Sequence, residues 1–156
     1  IQARNQANAT YARELNRAKA KKHELDTQKW GRIINVTSVS VKEPLNYLVL
    51  SNSIRSAVVA WAKSLSVDVG KDGVTVNSIL TGYFDTERIK ELNKEKSKSL
   101  NISENEVLEK MKSLVPLNRL GKTEEYGYLV SFLSSDKASY INGASIPIDG
   151  GLLRSY

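Results

Sequence analysis

The sequence predicts an α/β fold with a parallel sheet, because two apolar strands flank one long helix. Residues 33–36 form a largely apolar, β-branched run between Gly31 and Ser38, which is typical of a strand buried on both faces. Residues 46–69 contain neither Gly nor Pro and are predicted to be helical, and residues 74–80 begin a second strand. Two buried strands joined by a helix of this length are almost always parallel, with a right-handed crossover.

The long helix carries apolar side chains at the spacing of one helix face. This stripe consists of Leu50, Ile54, Ala57, Val58, Trp61 and Leu65, a pattern typical of a helix that packs through one side. The segment Gly70-Lys71-Asp72-Gly73 ends the helix with the residue types that helix ends and turns favour.

Four further elements follow the second strand. Residues 87–115 are charged and helical with a break near Leu100-Asn101, and the capping-box pair of Ser103 and Glu106 starts a new helix after the break. Thr123 is predicted to cap another helix that runs through Leu133. Residues 146–148 form the last strand, where Pro147 favours an edge position.

The composition excludes several classes of protein. With 156 residues, one domain is the default. There is no cysteine and His23 is the only histidine, which disfavours disulfides, a zinc site and a Ser-His-Asp mechanism. No apolar run approaches the length of a membrane span, and no signal-peptide core is present at the N-terminus. We therefore expect a cytoplasmic protein with no metal and no membrane contact.

The positive charge is concentrated near the N-terminus. Eight basic and three acidic residues among positions 1–32 account for five of the six net positive charges. Such a patch could contact nucleic acid, but Tyr11 is the only aromatic residue among positions 1–29, and we favour a solvated helix face or a loose leader as the explanation of the charge. Residues 1–29 are interpreted as a basic N-terminal helical segment with a helix at about 8–24.

The chain also resembles a known family over residues 30–155. The strings GRIINVTS at 31–38, DGVTVN at 72–77, TGYFDT at 81–86 and SYINGASIPIDGG at 139–151 are similar to the C-terminal half of short-chain dehydrogenases/reductases. This resemblance implies a partial Rossmann-like fold for residues 30–156. It also implies an NAD(P)-dependent oxidoreductase acting on a carbonyl or alcohol substrate.

The glycine-rich dinucleotide turn of such proteins is not found in this sequence. No G-x-G-x-x-G pattern occurs in the 156 residues, although dinucleotide sites of this type need one to bring the pyrophosphate to a helix N-terminus. We expect either the back half of a longer ancestor or a chain whose front half is missing. The string IQARNQ at 1–6 is somewhat similar to the end of the family's second strand, where an Arg can take the 2′-phosphate of NADP.

The resemblance assigns catalytic positions, two of which are substituted. Ser38 falls where the family has its Ser, while Ser51 and Arg55 occupy the positions of the family's Tyr and Lys. A Ser hydroxyl is far less acidic than a phenol, so it is a poor general acid near neutral pH. Arg55 keeps the positive charge and can still donate to ribose hydroxyls. Tyr47, four residues before Ser51, could supply the missing phenol or simply pack at the helix start.

The loop after the second strand corresponds to the family's nicotinamide loop. By resemblance, Thr81 belongs to the cofactor site, Gly82 allows the backbone to approach the nicotinamide, and the Phe84 N–H and Thr86 hydroxyl bind the carboxamide. A second interpretation is a helix start with Asp85 or Thr86 as the N-cap. Both interpretations are compatible with one another.

Three functions follow from these observations. The first is an atypical, possibly truncated NAD(P)-dependent oxidoreductase that uses NADP or NAD and forms a homo-oligomer through the helix at 46–69. The alternative is a non-catalytic half-domain that acts as an interaction or oligomerisation subunit. The third, a nucleic-acid-binding module, has little support beyond the N-terminal charge. The sequence identifies neither the substrate nor the choice between NAD and NADP.

Overall fold

A computed structural model describes residues 27, 29–46 and 48–155. The predicted N-terminal helix and Tyr47 therefore lie outside the described residues, and the division of the chain at residue 29 remains a prediction. The described elements, in chain order, are the strand β1 (Gly31–Val36), the helix α1 (Val49–Val69), the strand β2 (Val74–Thr81), the helices α2 (Glu87–Leu100), α3 (Glu104–Ser113) and α4 (Thr123–Ser134), and the strand β3 (Ser145–Ile148).

The three strands form one parallel sheet in the order β1-β2-β3. The strand β1 pairs with β2 from Gly31 opposite Val74 onward, and β2 pairs with β3 from Ser78 opposite Ser145 onward. The helix α1 connects β1 to β2, so the predicted α/β architecture with a partial Rossmann-like, parallel sheet is confirmed.

Helices cover both faces of the sheet. One face carries a buried core of Ile79, Leu133 and Ala138, in which the side chain of Leu133 on α4 meets the central strand. The other face packs against α1. Successive side chains of a strand point to opposite faces of the sheet. Since helices cover both faces, residues 75–80 of β2 are all buried. The central strand is thus the best buried element of the described chain.

The prediction that the first strand is buried on both faces was wrong. Ile33 and Ile34 are only half-buried, and the side chain of Val36 is 64% exposed. The strand β1 lies at an edge of the described sheet and pairs only with β2. Among the described residues it therefore has a neighbouring strand on one side only.

The apolar stripe of α1 is also more exposed than its spacing suggests. Leu50, Ile54 and Trp61 are 73%, 55% and 54% exposed. The helix contacts the sheet instead through the small residues Ala62 and Ser66, which are buried. Small side chains allow a helix to approach the sheet closely, and in α1 they leave the larger side chains on the outer surface.

Two asparagine side chains hold these layers together at the start of β2. Asn142 accepts a hydrogen bond from the Val76 N–H at 2.9 Å and donates to the Ser66 carbonyl on α1 at 2.9 Å. Asn77 donates to the Ile141 carbonyl at 2.8 Å and accepts from the Ala144 N–H at 3.0 Å. The segment before β3 is therefore fixed to both β2 and α1.

Most predicted element ends are found where expected. Gly73 follows α1 in the left-handed conformation with φ of 72°, and the capping box between Ser103 and Glu106 is formed. One cap was wrong: Thr123 is the first residue of α4 and Lys122 is its N-cap. The Glu125 carboxylate accepts from the Lys122 N–H at 2.7 Å, which is the part of a capping box that the residue at the third helical position contributes.

No helix in the described part of the chain is long and apolar enough to cross a membrane.

Pro147 lies on β3, an edge strand, as predicted.

Candidate functional site

Two groups of predicted site residues, and one residue that was not predicted, follow the carboxyl ends of the parallel strands. Ser38 lies two residues after β1, the loop 82–86 follows β2, and Asp149 follows β3 directly. The carboxyl ends of parallel strands meet at one edge of the sheet, where open α/β sheets bind ligands. The topology therefore brings these residues to the same edge of the described sheet.

Ser38 has a structural role at this edge. Its Oγ accepts a hydrogen bond from the Ser40 N–H at 3.1 Å and so caps the 3-10 turn at Val39–Val41. That turn packs against α1. The Ser38 hydroxyl proton has no acceptor among the described residues, so the group can still donate to a ligand.

Ser51 and Arg55 form a pair on the first turns of α1. The Arg55 Nε donates to the Ser51 Oγ at 3.2 Å, and both residues are half-buried. The spacing of four residues places the two side chains on one helix face. The other guanidinium N–H groups have no partner in the described chain, so Arg55 keeps donors for a ligand.

The structure joins Ser51 to Arg55 but forms no hydrogen bond from Ser38 to either of them. The link between these residues is the packing of the turn that Ser38 caps against α1. Tyr47, the other candidate proton donor, lies outside the described residues.

The loop 81–86 is built around the ring of Phe84. This ring is buried, meets the Tyr126 ring edge-on at a centroid distance of 5.3 Å, and lies over Gly121. The Asp85 N–H donates to the Gly121 carbonyl and the Gly121 N–H to the Tyr83 carbonyl, both at 2.9 Å. These contacts hold the backbone of the loop in one position, and the Phe84 N–H has no partner among the described residues.

Contacts within the chain explain why residue 82 is a glycine and residue 86 is a threonine. A β-carbon on Gly82 would lie 2.6 Å from the Cα of Asp149, so the absence of a side chain is required by the neighbouring strand end. Thr86 is the N-cap of α2, and its Oγ1 accepts from the Ile89 N–H at 3.4 Å. The helix-start interpretation is thus correct, with Thr86 as the cap. Thr81 pairs with the Tyr126 hydroxyl at 3.2 Å.

Several described residues keep hydrogen-bond donors of the kind that the nicotinamide end of a dinucleotide accepts. The Phe84 N–H, the Thr86 hydroxyl proton and the outer N–H groups of Arg55 are donors without partners in the described chain. A carboxamide oxygen and ribose hydroxyls accept such donors. For the adenosine end, the sequence holds no glycine-rich turn.

A cavity of about 270 Å³ adjoins the loop. Its lining includes Tyr83, Phe84, Ile148 and the ion pair of Arg119 with Glu125. The Arg119 guanidinium donates to both Glu125 carboxylate oxygens at 2.8 and 2.6 Å. The Arg119 hydrogen bond, followed by the bond from the Lys122 N–H, lowers the pKa of Glu125 to about 2. The cavity therefore has an apolar wall and a fixed, charged rim.

Sequence reasoning missed three residues that support this edge of the sheet through contacts with residues far away in the sequence. Tyr126 packs against Phe84, Asp149 packs against Gly82, and Glu43 holds the end of the chain. Asp149 belongs to the string that carries the family resemblance, which was the available signal. Tyr126 and Glu43 stand in ordinary helical and turn contexts, and nothing in their spacing marks them.

Comparison with known proteins gives consistent matches. The family described as enoyl-(acyl carrier protein) reductase matches residues 9–153. An NADPH-dependent reductase, BacG, of Bacillus subtilis is 32% identical over 126 residues, which are 81% of this chain and 49% of that protein. The 3-oxoacyl-[acyl-carrier-protein] reductase FabG of Pseudomonas aeruginosa is 32% identical over 131 residues, covering 81% of this chain and 47% of FabG.

The fold comparison agrees. The crystal structure of a short chain dehydrogenase family protein from Francisella tularensis matches with a TM-score of 0.75 and 30% identity, over 78% of this chain and 50% of that protein. The chain spans about half the length of the curated relatives it matches.

Proposed function

Because this chain belongs to the short-chain dehydrogenase/reductase family, we propose that it is an atypical NAD(P)-dependent oxidoreductase that reduces a carbonyl compound or oxidises the corresponding alcohol. The observation that supports this most directly is the hydrogen bond from the Arg55 Nε to the Ser51 Oγ. In this bond a permanently charged guanidinium lies beside a hydroxyl, and the resemblance assigns these two residues to the positions of the family's Lys and Tyr.

The nicotinamide cofactor, when bound, supplies or accepts the hydride. Arg55 binds its ribose hydroxyls through the guanidinium N–H groups that Ser51 does not use. The Phe84 N–H and the Thr86 hydroxyl bind the carboxamide, and Thr81 supports the same loop through Tyr126. BacG is described as NADPH-dependent, which favours NADPH over NADH as the first cofactor to test.

The hydroxyls of Ser38 and Ser51 orient the substrate by donating hydrogen bonds to its carbonyl oxygen. Arg55 stabilises negative charge that develops there, since an adjacent cation favours the anionic form of an oxygen. Ser51 alone is too weak an acid to deliver a proton near neutral pH. Tyr47, four residues earlier, carries the nearest phenol along the chain, and a Tyr47→Phe variant tests whether it is the donor.

The first experiment is a titration of NADH and NADPH into the purified chain, followed by cofactor fluorescence and thermal unfolding. A ligand at about 100 times its dissociation constant stabilises the folded state by about 2.7 kcal/mol. Arg55→Ala should abolish this shift. Arg88→Ala removes the same type of side chain from an exposed position on α2 and should retain it. Absence of saturable binding at millimolar cofactor would overturn the proposal for this polypeptide.

We also propose that the chain forms a homo-oligomer through the helix predicted at 46–69. The exposed apolar side chains of Leu50, Ile54 and Trp61 favour a partner on this face, since water contact with a large apolar patch is unfavourable. A chain that associates through this helix but binds neither cofactor would instead be a non-catalytic interaction subunit. The titration and a mass measurement together separate these two outcomes.

A further inference from the structure

The end of the chain contacts the loop proposed to hold the nicotinamide. The Gly82 N–H donates to the Ile148 carbonyl at 3.0 Å, and Gly82 packs on Asp149 so closely that a β-carbon would not fit. The Asp149 carboxylate then folds the following residues back, because it accepts from the Gly151 N–H at 2.9 Å and from the Leu153 N–H at 2.8 Å.

The same segment reaches the loop that leads into α1. The Glu43 Oε1 accepts from the backbone N–H groups of Arg154 at 2.8 Å and Ser155 at 3.0 Å. These two bonds, the one from Arg154 first, lower the pKa of Glu43, so the carboxylate is ionised at neutral pH. Backbone N–H groups donating to a charged carboxylate form stronger hydrogen bonds than neutral pairs do.

Glu43 is tied in turn to the candidate catalytic residues. Its own N–H donates to the Val39 carbonyl at 3.1 Å, within the turn that Ser38 caps. Two residues later, the Leu45 carbonyl accepts from the Asn52 Nδ2 at 2.9 Å, and Asn52 is the neighbour of Ser51 on α1. A change in the position of Glu43 would therefore displace the loop between Ser38 and Ser51.

We propose that residues 149–155 form a strap between the two halves of the site and that Glu43 is the positioning residue to which the strap is fastened. The strap holds the loop 81–86 at one end and the loop 42–46 at the other, and so sets the distance between the nicotinamide side and the Ser38, Ser51 and Arg55 side. Its effect on catalysis rests on the proposed oxidoreductase function, whereas its existence does not.

The test compares five variants with the wild-type chain by amide hydrogen exchange. Glu43→Ala removes the acceptor, and a chain ending at Leu153 removes both donors. Each should speed exchange in residues 42–46 by about tenfold, the equivalent of one charged hydrogen bond, and the combination should add nothing further. Glu43→Gln keeps an acceptor oxygen and should restore most of the protection. Arg154→Ala keeps its backbone N–H and should leave exchange unchanged.

The second measurement is kinetic, with whichever cofactor the wild-type chain binds. Glu43→Ala should lower kcat, with Glu43→Gln intermediate and Arg154→Ala equal to the wild type. Unchanged exchange in Glu43→Ala, or additive effects in the combined variant, would overturn the strap. Faster exchange with unaltered kinetics would overturn the positioning role. If the wild-type chain binds no cofactor, the oxidoreductase proposal fails and the exchange results alone decide whether the strap exists.

Discussion

The central strand β2 and the outer face of α1 are both rich in apolar side chains, yet they differ in what covers them. Residues 75–80 of β2 are buried between two helical layers. Leu50, Ile54 and Trp61 on α1 are each more than half exposed, while the same helix meets the sheet through Ala62 and Ser66. The difference shows that apolar spacing along an element does not by itself determine whether that face is buried within the chain.

Truncation of the core should have the largest effect on stability. Leu133→Ala removes a fully buried side chain from the cluster that contains Ile79, and should lower the free energy of unfolding by about 2–5 kcal/mol. Urea unfolding followed by circular dichroism measures this. Leu50→Ala, the same substitution at an exposed position, should change the free energy of the monomer little. Equal costs for both variants would mean that Leu50 is buried in solution.

A charge introduced on the outer face of α1 should weaken oligomerisation instead of destabilising the fold of the single chain. Ile54→Lys and Trp61→Lys should reduce the mass measured by light scattering to that of one chain, 17.3 kDa, because a lysine is costly to bury in an apolar contact. Val67→Lys, at an exposed position on another side of α1, is the matched control and should leave the mass unchanged. A wild-type chain that is already monomeric at micromolar concentration would contradict the proposed interface.

Removing a helix cap should lower stability less than truncating the core does and more than removing an exposed ion pair does. Thr86→Ala removes the N-cap of α2 and Ser103→Ala disrupts the capping box of α3, and each should cost about 1 kcal/mol. Thermal unfolding at neutral pH checks this. Ser99→Ala, in the last turn of α2, should be neutral or slightly stabilising, since Ala has the higher helix propensity. A Thr86→Ala variant as stable as the wild type would show that the start of α2 needs no side-chain cap.

The smallest expected effect concerns an exposed ion pair. The pKa of Glu125 is lowered to about 2 by Arg119 and the Lys122 N–H, so its contribution to stability is complete above its ordinary pKa near 4.5 and is lost as the pH falls toward 2. Glu125→Gln should therefore be less stable than the wild type at pH 7, and the difference should shrink between pH 4.5 and 2.

Glu124→Gln, at the neighbouring position and without an ion pair among the described residues, is the matched control for this comparison. It should follow the wild type across the same pH range. A difference between Glu125→Gln and the wild type that is constant with pH would mean that the carboxylate acts by packing and not through its charge.

Much of the fold could be predicted from local patterns. The strand at 74–80, the end of α1 at Gly73 and the capping box at Ser103 each depend on a few consecutive residues, and the structure confirms them. The exposure of Val36 and Trp61 could not be predicted, because it depends on which neighbours the sheet and α1 have. The asparagine contacts of Asn77 and Asn142 join residues more than 60 positions apart and leave no local signal.

In the candidate site, too, local patterns could be predicted and long-range contacts could not. The pairing of Ser51 with Arg55 follows from helical spacing, and the structure contains it. The roles of Ser38, Ser51, Arg55 and Tyr47 in catalysis stay predictions. The contact of Gly82 with Asp149 was not foreseen, since the family resemblance explained Gly82 through the cofactor alone. A glycine at a strand end can serve a neighbouring strand and a ligand at once.

The pairing of β2 with β3 has a consequence for the order in which the protein can form during synthesis. Ser78 pairs with Ser145, so β2 leaves the ribosome long before its second neighbour has been translated. Until then the best buried strand of the described residues has one exposed edge and is prone to pair with other chains. Long-range parallel pairing of this kind also folds slowly. A nascent chain released before residue 145 would therefore be a natural substrate for chaperones, whereas one extended beyond Ile148 could form the pairing of β2 with β3.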